Sequence, residues 1–451
     1  MLSIERWTRR AAVLASGVLV VAAGAVGAAP AGAATRYCQG QLVTIEATAS
    51  DTTVTGTEGP DVIDGVGRVR LTINGLGGDD VICTGPGHQI VVHGGEGDDS
   101  LESEIVGGLG GPTQLYGEAG DDTLRLAGDP SAGGYAVDNS KAYGGEGDDQ
   151  LISEVEYADL TPGPGDDTIV GSEHTQLHFG GTAGVRIEVA AGTADGEGHD
   201  TFTRIWQFTG SPGPDTFIGS DGADHFGRGD APGSALNTDV ATGGGGRDSL
   251  VVARGTVDGG DGNDSVGVVD GGTASGGAGN DHVGVGVSGT ARGGPGNDHL
   301  SVQWQKKEAR GAVRLFGDGG ADRFEVQFMG TDWATPCADP GTCRTVLDGG
   351  TGQDAVAFTT YRFGMVVDLH AGRIRHEDAR GKIRGIEDVS GTRFADRLLG
   401  DDRANVLRGH DGADVLVGRG GSDQLIGGSG KDRAVGGPGR DRCVAERKSS
   451  C

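Results

Sequence analysis

A nine-residue repeat constrains this chain more than any other feature of its sequence. From Gly391 the repeat runs six times without a gap, as GTRFADRLL, GDDRANVLR, GHDGADVLV, GRGGSDQLI, GGSGKDRAV and GGPGRDRCV. Position six is Asp or Asn in every copy, and position eight is apolar. A unit this short cannot bury a core alone, so consecutive copies are expected to stack as a solenoid.

The same unit recurs upstream from residue 56, for example as GGEGDDSLE at 94, GGDGNDSVG at 259 and GGTGQDAVA at 349. About twenty copies carry a hydrophobic residue two places after the acidic position. That alternation predicts a short strand with one side chain facing the core. We therefore predict an all-β fold, a parallel β-roll or β-solenoid of stacked repeats with longer strand excursions.

The residue types of the repeat suit a hard cation. Glycine permits the positive φ angles of a tight turn, and aspartate supplies the anionic oxygen that Ca²⁺ prefers. The pattern resembles the G-G-x-G-x-D-x-U-x repeat of RTX (haemolysin-type) calcium-binding proteins. The resemblance implies several bound Ca²⁺ ions, with metal ligands at Asp61, Asp80, Asp99, Asp122, Asp149, Asp167, Asp215, Asp224, Asp248, Asp264, Asp281, Asp298, Asp322, Asp354, Asp396, Asn405, Asp414, Asp423, Asp432 and Asp441.

In the resembling family two nonapeptides complete one turn, and Ca²⁺ lies between loops two repeats apart. In this sequence the resemblance pairs Asp396 with Asp414, Asp414 with Asp432, and Asp423 with Asp441. Asn405 with Asp423 is the weaker pair, because an amide carries no charge. The first two units from Gly391 also lack some glycines, so we expect them to bind poorly or to serve as a transition.

Between residues 243 and 302 the spacing is different. Asp248, Asp264, Asp281 and Asp298 follow one another at intervals of 16, 17 and 17 residues. The alignment places Leu250, Val266, Val283 and Leu300 in one apolar column and Val252, Val268, Val285 and Val302 in another. We infer a turn of about seventeen residues with a calcium ladder along one edge only.

Two longer segments, starting at 184 and 364, resemble each other and read as strand-turn-strand prefaces to the repeat blocks. The intervals Leu126–Tyr143, Val302–Leu315 and Met329–Leu347 read as longer strands or excursions. We expect blocks of one continuous solenoid rather than independent domains.

Composition supports a repeat fold and limits the partners. Glycine supplies 91 of 451 residues and aromatic residues only 5%, so a conventional core is improbable. The formal net charge of −28 argues against a nucleic-acid partner and requires solvation or neutralisation by cations.

The N-terminus predicts export. Arg6, Arg9 and Arg10 precede an apolar run that ends in small residues near Ala33 and Ala34, as in a cleaved signal peptide. A membrane anchor is the alternative, because the run approaches the length that spans a bilayer. We expect a secreted, extracellular protein with no membrane span after cleavage.

Six cysteines fit an oxidising compartment. We favour the sequence-local pairs Cys38–Cys83, Cys337–Cys343 and Cys443–Cys451 among the fifteen pairings that six cysteines allow. Zinc is the rival reading, but the chain lacks a C-x-x-C pair.

Other constellations carry weaker signals. The chain has no HExxH motif and no G-x-S-x-G motif, and its repeated carboxylates favour metal ligation over a glycosidase pair, so we expect no enzyme. His282 and His299 share position seven and are expected to form an outward column, while His174 and His178 are poor zinc candidates. Trp206, Trp304 and Trp333 are either carbohydrate platforms or packing residues.

These observations predict a signal peptide over 1–34, an N-terminal strand or cap over 35–55, irregular calcium-binding solenoid blocks over 56–390, a regular nonapeptide β-roll over 391–444, and a C-terminal disulfide cap over 445–451. The expected function is a calcium-stabilised extracellular structural or interaction module. The alternatives are a surface adhesin that binds cell-envelope or extracellular glycan and, less favoured, a polysaccharide-active β-helix enzyme.

Overall fold

Short parallel strands account for the regular structure of this protein. The computed structural model describes residues 36–50, 52–85, 89–105, 111–128, 139–227, 238–286, 288–304, 312–328, 344–359, 363–376 and 379–451. No helix within these ranges has the length and apolarity needed to cross a membrane. The chain divides into two compact units between Ser172 and Glu173.

The first unit contains fifteen strands in its described residues: β1 (Tyr37–Cys38), β2 (Gln41–Leu42), β3 (Ile45–Glu46), β4 (Thr52–Thr55), β5 (Val62–Asp64), β6 (Leu71–Gly77), β7 (Val81–Thr84), β8 (Ile90–Glu96), β9 (Ser100–Ile105), β10 (Gln114–Ala119), β11 (Thr123–Gly128), β12 (Ser140–Glu146), β13 (Gln150–Ser153), β14 (Tyr157–Thr161) and β15 (Thr168–Val170).

Successive strands of the first unit alternate between two parallel sheets. The even-numbered strands from β4 to β14 pair in order, and so do the odd-numbered strands from β3 to β15. Along β9 and β11 alternate side chains are buried, which places Leu101 and Leu124 in the core. The period-two pattern of the sequence therefore follows the pleat of the strands.

A small antiparallel pair begins the first unit. Strands β1 and β2 pair with each other, and the Cys38–Cys83 disulfide joins β1 to β7. Cys38 and Cys83 are buried with Val81. This disulfide was predicted from the sequence and is confirmed.

The second unit contains the remaining described strands: β16 (His174–His178), β17 (Arg186–Glu188), β18 (Thr193–Asp195), β19 (His199–Thr203), β20 (Gln207–Thr209), β21 (Thr216–Ile218), β22 (His225–Gly227), β23 (Asp239–Gly246), β24 (Ser249–Val252), β25 (Gly255–Gly262), β26 (Ser265–Val268), β27 (Gly272–Ala278), β28 (His282–Val285), β29 (Gly289–Pro295), β30 (His299–Trp304), β31 (Val313–Gly319), β32 (Arg323–Phe328), β33 (Arg344–Asp348), β34 (Ala355–Thr359), β35 (Val366–Asp368), β36 (Arg373–His376), β37 (Ala379–Arg384), β38 (Asp388–Ser390), β39 (Arg397–Leu399), β40 (Val406–Gly412), β41 (Val415–Val417), β42 (Gln424–Gly430), β43 (Arg433–Val435), β44 (Arg442–Val444) and β45 (Arg447–Ser449).

Parallel stacking in two sheets also builds the second unit, and the two sheets face each other across an apolar core. Phe208 of β20, Phe217 of β21 and Phe226 of β22 come from alternating sheets, and their rings lie 5.7 Å and 4.7 Å apart from one to the next. All three rings are buried. Phe217 and Phe226 stand at position eight of their repeats, so large apolar residues at this position help to fill the space between the sheets, as the repeat pattern predicts.

The middle block follows the register expected from its spacing. Leu250 pairs with Val266, Val266 with Val283, and Val283 with Leu300, each one turn further along the chain. The return strands β25, β27 and β29 pair through Thr256, Thr273 and Thr290. A solenoid turn of 16 or 17 residues is thus confirmed for this block.

Both predicted prefaces are three-stranded antiparallel elements. Strands β17, β18 and β19 form the first, and β35, β36 and β37 form the second. Most residues of the three predicted excursions, together with Cys337, Cys343 and the leader, lie outside the described residues. At the other end of the chain, the predicted Cys443–Cys451 disulfide is present beside β44 and β45.

Candidate metal centre

The position-six aspartates of the first unit form one ladder along a single edge. The backbone N–H of Asp61 donates a 2.7 Å hydrogen bond to Oδ1 of Asp80, one turn onward. The same contact recurs at 2.8 Å up the stack, from Asp80 to Asp99, Asp99 to Asp122, Asp122 to Asp149, and Asp149 to Asp167. Each turn of this unit therefore contributes one acidic loop to the ladder.

A longer ladder of the same kind runs along one edge of the second unit. Its N–H to Oδ1 contacts measure 2.8–2.9 Å and join Asp224 to Asp248, Asp248 to Asp264, Asp264 to Asp281, Asp281 to Asp298, Asp298 to Asp322, and Asp322 to Asp354. The whole middle block lies on this edge, which is the one-sided arrangement predicted from its spacing.

The C-terminal run has acidic loops on two edges. Asp396 contacts Asp414 at 2.7 Å and Asp414 contacts Asp432 at 3.0 Å, again from N–H to Oδ1. On the other edge Asn405 contacts Asp423 at 2.9 Å, and Asp423 contacts Asp441 at 3.0 Å. These are the pairs predicted eighteen residues apart, so the structure brings each pair together.

Three acidic residues join the ladders although they lie outside the repeat pattern. Asp215 donates its N–H to Oδ1 of Asp239 at 3.1 Å, and Asp354 donates to Oε2 of Glu387 at 2.9 Å. The N–H of Asp432 contacts Oε2 of Glu446 at 2.7 Å. None of the three follows a G-x-G turn, so the nine-residue pattern carried no signal for them.

Most position-six carboxylates keep one oxygen without a hydrogen bond. In these loops Oδ1 accepts the N–H of the preceding turn, while Oδ2 is buried and has no hydrogen-bond partner among the described residues. A buried polar atom in this state carries a desolvation penalty of about 1–3 kcal/mol. The residues concerned are Asp80, Asp99, Asp122, Asp149, Asp248, Asp264, Asp281, Asp298, Asp322, Asp354, Asp414, Asp423, Asp432 and Asp441.

The glycine at position one leaves the space that this oxygen occupies. A Cβ built on Gly409 would lie 2.6 Å from the carbonyl oxygen of Gly427, and it would also collide with Oδ2 of Asp414. A carboxylate oxygen and a carbonyl oxygen of the next turn thus converge on one small space. Oxygen atoms of these two kinds are the ligands of Ca²⁺ in proteins.

Burial shifts the carboxylates of these loops towards the protonated form. Desolvation raises the pKa of Asp122 to about 8 and the pKa of Asp99 and Asp149 to about 7. In the second unit it raises the pKa of Asp298 to about 7 and that of Asp248 to about 6. Neighbouring carboxylates add to each shift, because like charges in one ladder repel. A bound cation would reverse both effects.

Five loops differ from this arrangement, because the residue at position two donates a hydrogen bond to the carboxylate or amide oxygen at position six. At Asp61 the N–H and hydroxyl of Thr57 donate to Oδ2 at 2.6 and 2.9 Å, and Ser220 does the same for Asp224 at 2.5 and 3.0 Å. We call these the capped loops and the others the open loops. The capped pairs are Thr57–Asp61, Ser211–Asp215, Ser220–Asp224, Thr392–Asp396 and Asp401–Asn405.

The backbone of the two classes also differs. In every open loop position two has a positive φ, even where it is not glycine, with values of 68–88° at Leu76, Glu118, Asp318, His410 and Arg419. In the capped loops the side chain of position two instead accepts the N–H of position four, for example Gly222 N–H to Ser220 Oγ at 3.0 Å. Such side-chain turns are typical of Ser, Thr and Asp.

A second, exposed row of side chains lies at position five of the loops. In the first unit it consists of carboxylates, and Asp98, Asp121 and Asp148 each donate their N–H to the carboxylate one turn back at 2.9–3.1 Å. In the middle block amides replace them, with Asn280 N–H to Asn263 Oδ1 at 2.7 Å. The first unit therefore concentrates more negative charge along its loop edge.

His282, His299 and Trp206 have side chains that are at least partly exposed to solvent. His282 and His299 stand in one column, as predicted, with their Nδ1 atoms 3.0 Å apart. His174 and His178 belong to strand β16 rather than a helix. Trp206 is 39% exposed and its ring lies 4.7 Å from that of His225.

No three His, Cys, Asp or Glu side chains of the described residues converge on one point. An ion at an open loop would therefore draw on backbone carbonyls as well as carboxylates, which glycine-rich loops permit. The residues present fit Ca²⁺, because the position-six donors are hard carboxylate oxygens and one oxygen of most open-loop carboxylates is buried without a hydrogen-bond partner in the described part of the chain.

Comparison with known families agrees with this geometry. Five segments match the model of the RTX calcium-binding nonapeptide repeat, at residues 72–88, 107–129, 207–230, 390–425 and 426–442. No curated protein matches the chain. Fold and repeat together define an all-β solenoid of stacked acidic loops. The chain carries RTX calcium-binding repeats, and the resemblance predicted from its sequence is confirmed.

Proposed function

We propose that this protein is a secreted structural or interaction module whose folded state depends on Ca²⁺ held in its stacked loops. The observation that supports this proposal most directly is the row of buried carboxylate oxygens without hydrogen-bond partners among the described residues, which repeats from turn to turn. A protein that buries such atoms is stabilised by whatever cation satisfies them.

The position-six carboxylates would hold the ion together with loop carbonyl oxygens. Bound Ca²⁺ supplies positive charge at a point where neighbouring carboxylates of one ladder repel each other. The contribution of the chain is structural, because the N–H of each aspartate fixes the orientation of the next carboxylate. Binding to the folded chain alone then adds stability by mass action.

Charge and compartment suit a folding switch. A chain with a net charge of −28 repels itself when compact, and free Ca²⁺ is scarce in the cytoplasm. Extracellular calcium modules work at roughly 10⁻⁴–10⁻³ M, so export would trigger folding. The predicted leader over 1–34 and the two disulfides support an oxidising, extracellular destination.

A calcium titration of the mature full chain tests this function. Circular dichroism should show that the β-rich state unfolds at a clearly lower temperature in EGTA than in millimolar Ca²⁺, while isothermal titration calorimetry counts the ions. Millimolar Mg²⁺ is the matched control, because its smaller ion demands octahedral geometry. A β-rich spectrum and an unfolding temperature that are identical with and without chelator would contradict the proposal.

A second candidate function is glycan binding by the outer wall. The observation in its favour is Trp206, which is exposed beside the rings of His174 and His225 on one outer face. Aromatic faces of this kind stack on sugars. A glycan array with calcium-loaded protein and its Trp206→Ala variant tests it, and binding that ignores the substitution would contradict this platform.

Catalysis is not part of the proposal. Carboxylate pairs that could act as acid and base, such as Asp98 and Asp99, recur at positions five and six of successive repeats, and each accepts an N–H from an adjacent turn. A site repeated along a whole ladder is explained by metal ligation, whereas a catalytic pair needs two carboxylates in unlike surroundings.

A further inference from the structure

The capped loops stand at the start of each acidic run. Asp61 begins the ladder of the first unit, Asp215 and Asp224 are the first two loops of the second unit, and Asp396 and Asn405 are the first two loops of the C-terminal run. Open loops follow on the ladders of Asp61, Asp224, Asp396 and Asn405, whereas the loop of Asp215 is followed by Asp239, which belongs to no repeat loop. The capped geometry is therefore a feature of run starts rather than a random variation of the repeat.

In a capped loop, hydrogen-bond donors of the chain already satisfy the carboxylate oxygens that an ion would otherwise bind. Two protein donors satisfy Oδ2 of Asp224, and Thr392 donates its N–H and its hydroxyl to the carboxylate of Asp396. A cation at this carboxylate would have to displace N–H and O–H groups whose positive ends point at the same oxygens. The gain from ion binding is then offset by the lost hydrogen bonds.

Two further features of the Asn405 loop also indicate that the chain itself replaces the ion at a run start. The one position-six residue that is not Asp is Asn405, and it lies in a capped loop, with Oδ1 accepting the N–H of Asp401 at 2.8 Å. Beside it, the guanidinium of Arg403 forms ion pairs with Glu387 and Asp401, the latter at 3.0 Å. A protein cation thus neutralises the acidic groups at this step of the ladder.

We propose that the five capped loops bind no Ca²⁺ and that ions occupy only the open loops that follow them. Each run would then start on a turn whose loop folds without metal and whose strand edge templates the calcium-dependent turns. The proposal rests on the calcium-binding function proposed above and assigns its sites. Physically, the first loop of a run lacks an open loop before it, so side-chain donors replace the ion there.

Calcium counting on full-length mature variants tests the assignment. Asp224→Asn changes a capped loop and Asp264→Asn an open loop two turns further along the same ladder. Ser220→Gly converts the capped sequence GSDGAD to the open sequence GGDGAD in one step. Ser265→Gly is the matched control, because Ser265 is exposed at position seven outside any loop. Bound Ca²⁺ is measured by equilibrium dialysis, with circular dichroism as the check on folding.

We expect Asp264→Asn to lose at least one ion relative to the parent chain and Asp224→Asn to lose none. Ser220→Gly should gain one ion, and Ser265→Gly should leave the count unchanged. An equal loss from both Asn variants, or no gain in a folded Ser220→Gly protein, would overturn the assignment while leaving calcium binding intact. A parent chain that takes up no Ca²⁺ would overturn the proposed function as well.

Discussion

The backbone N–H of Asp264 donates a 2.8 Å hydrogen bond to Oδ1 of Asp281, a residue 17 positions later and one solenoid turn away. The contact fixes the Asp281 carboxylate, leaves its second oxygen buried and unpartnered, and repeats along the ladder. The same contact therefore stacks the backbone and orients the proposed metal ligand. Substitutions of these aspartates should change the stability of the protein in opposite directions with and without Ca²⁺.

The effect of Asp281→Asn on stability is expected to change sign when calcium is added. The amide keeps the Oδ1 acceptor but removes a charge whose burial raises the pKa of Asp281, so the calcium-free protein should be equally or more stable. In millimolar Ca²⁺ the variant loses a ligand and should unfold at a lower temperature than the parent. Thermal unfolding in both buffers measures this, with exposed Asp258→Asn as control. A variant less stable than the parent in EGTA would contradict the interpretation.

Calcium-free protein is expected to gain stability as the pH falls from about 8 to about 5. The pKa of Asp122 is raised to about 8 and that of Asp99 to about 7, so the folded state binds protons that the unfolded state releases. Stability contributed by these groups is present at low pH and is lost as the pH rises through the folded pKa.

Unfolding temperatures in metal-free buffers across this range check the pH dependence. Burial lowers the pKa of His282, so this histidine makes the folded state less stable as the pH falls, which opposes the effect of the aspartates at the acidic end of the range. Asp122→Asn should therefore flatten the curve between pH 6 and pH 8, because its raised pKa lies there, about 8. Stability that rises steadily with pH in metal-free buffer would contradict the expectation. Calcium uptake at pH 7 should also release protons.

Neighbouring glycines of one loop should tolerate alanine very differently. Gly244 has a φ of 103° and a Cβ there would collide with the carbonyl of Ser220, whereas a Cβ on Gly245 would meet nothing closer than 3.6 Å. Gly244→Ala should cost at least about 1–2 kcal/mol, the penalty of a left-handed conformation for an L-residue. Gly245→Ala is the control and should stay near the parent. Chemical denaturation in Ca²⁺ measures both, and equal costs would argue against the loop conformation.

The two disulfides within the described ranges should stabilise the chain to different degrees. Cys38–Cys83 spans 45 residues and Cys443–Cys451 spans 8, so loop-closure entropy gives about 4 and about 2.5 kcal/mol respectively. Cys38→Ser with Cys83→Ser should therefore lower stability more than Cys443→Ser with Cys451→Ser. Denaturant unfolding compares the pairs, and hydrogen exchange in β43 to β45 should rise only in the second variant. The reverse order of stabilities would contradict the entropic account.

Much of the fold could be predicted from local pattern. The apolar column through Leu250 and Leu300, the seventeen-residue turn and the two antiparallel prefaces all follow from period-two alternation and from spacing. Stacked turns place equivalent residues one above another, so regular spacing in the sequence becomes register in the sheet.

Other features could not be predicted because they depend on contacts between turns. Asp239, Glu387 and Glu446 enter the ladders only because the turn before each presents an N–H at the right place. The spacing from Asp80 to Asp149 also varies, from 19 to 23 to 27 residues, yet the same N–H to Oδ1 contact joins each successive pair.

Sequence alone determined the class of fold, the acidic loops and the disulfides of the two termini, because each depends on residue type and spacing along the chain. Only the tertiary structure decided which edge each loop joins and which carboxylates are buried. It also separated open loops from capped ones, as at Ser220 and Gly260. The physical reason is that the state of a carboxylate depends on donors supplied both by its own turn and by the turn stacked before it.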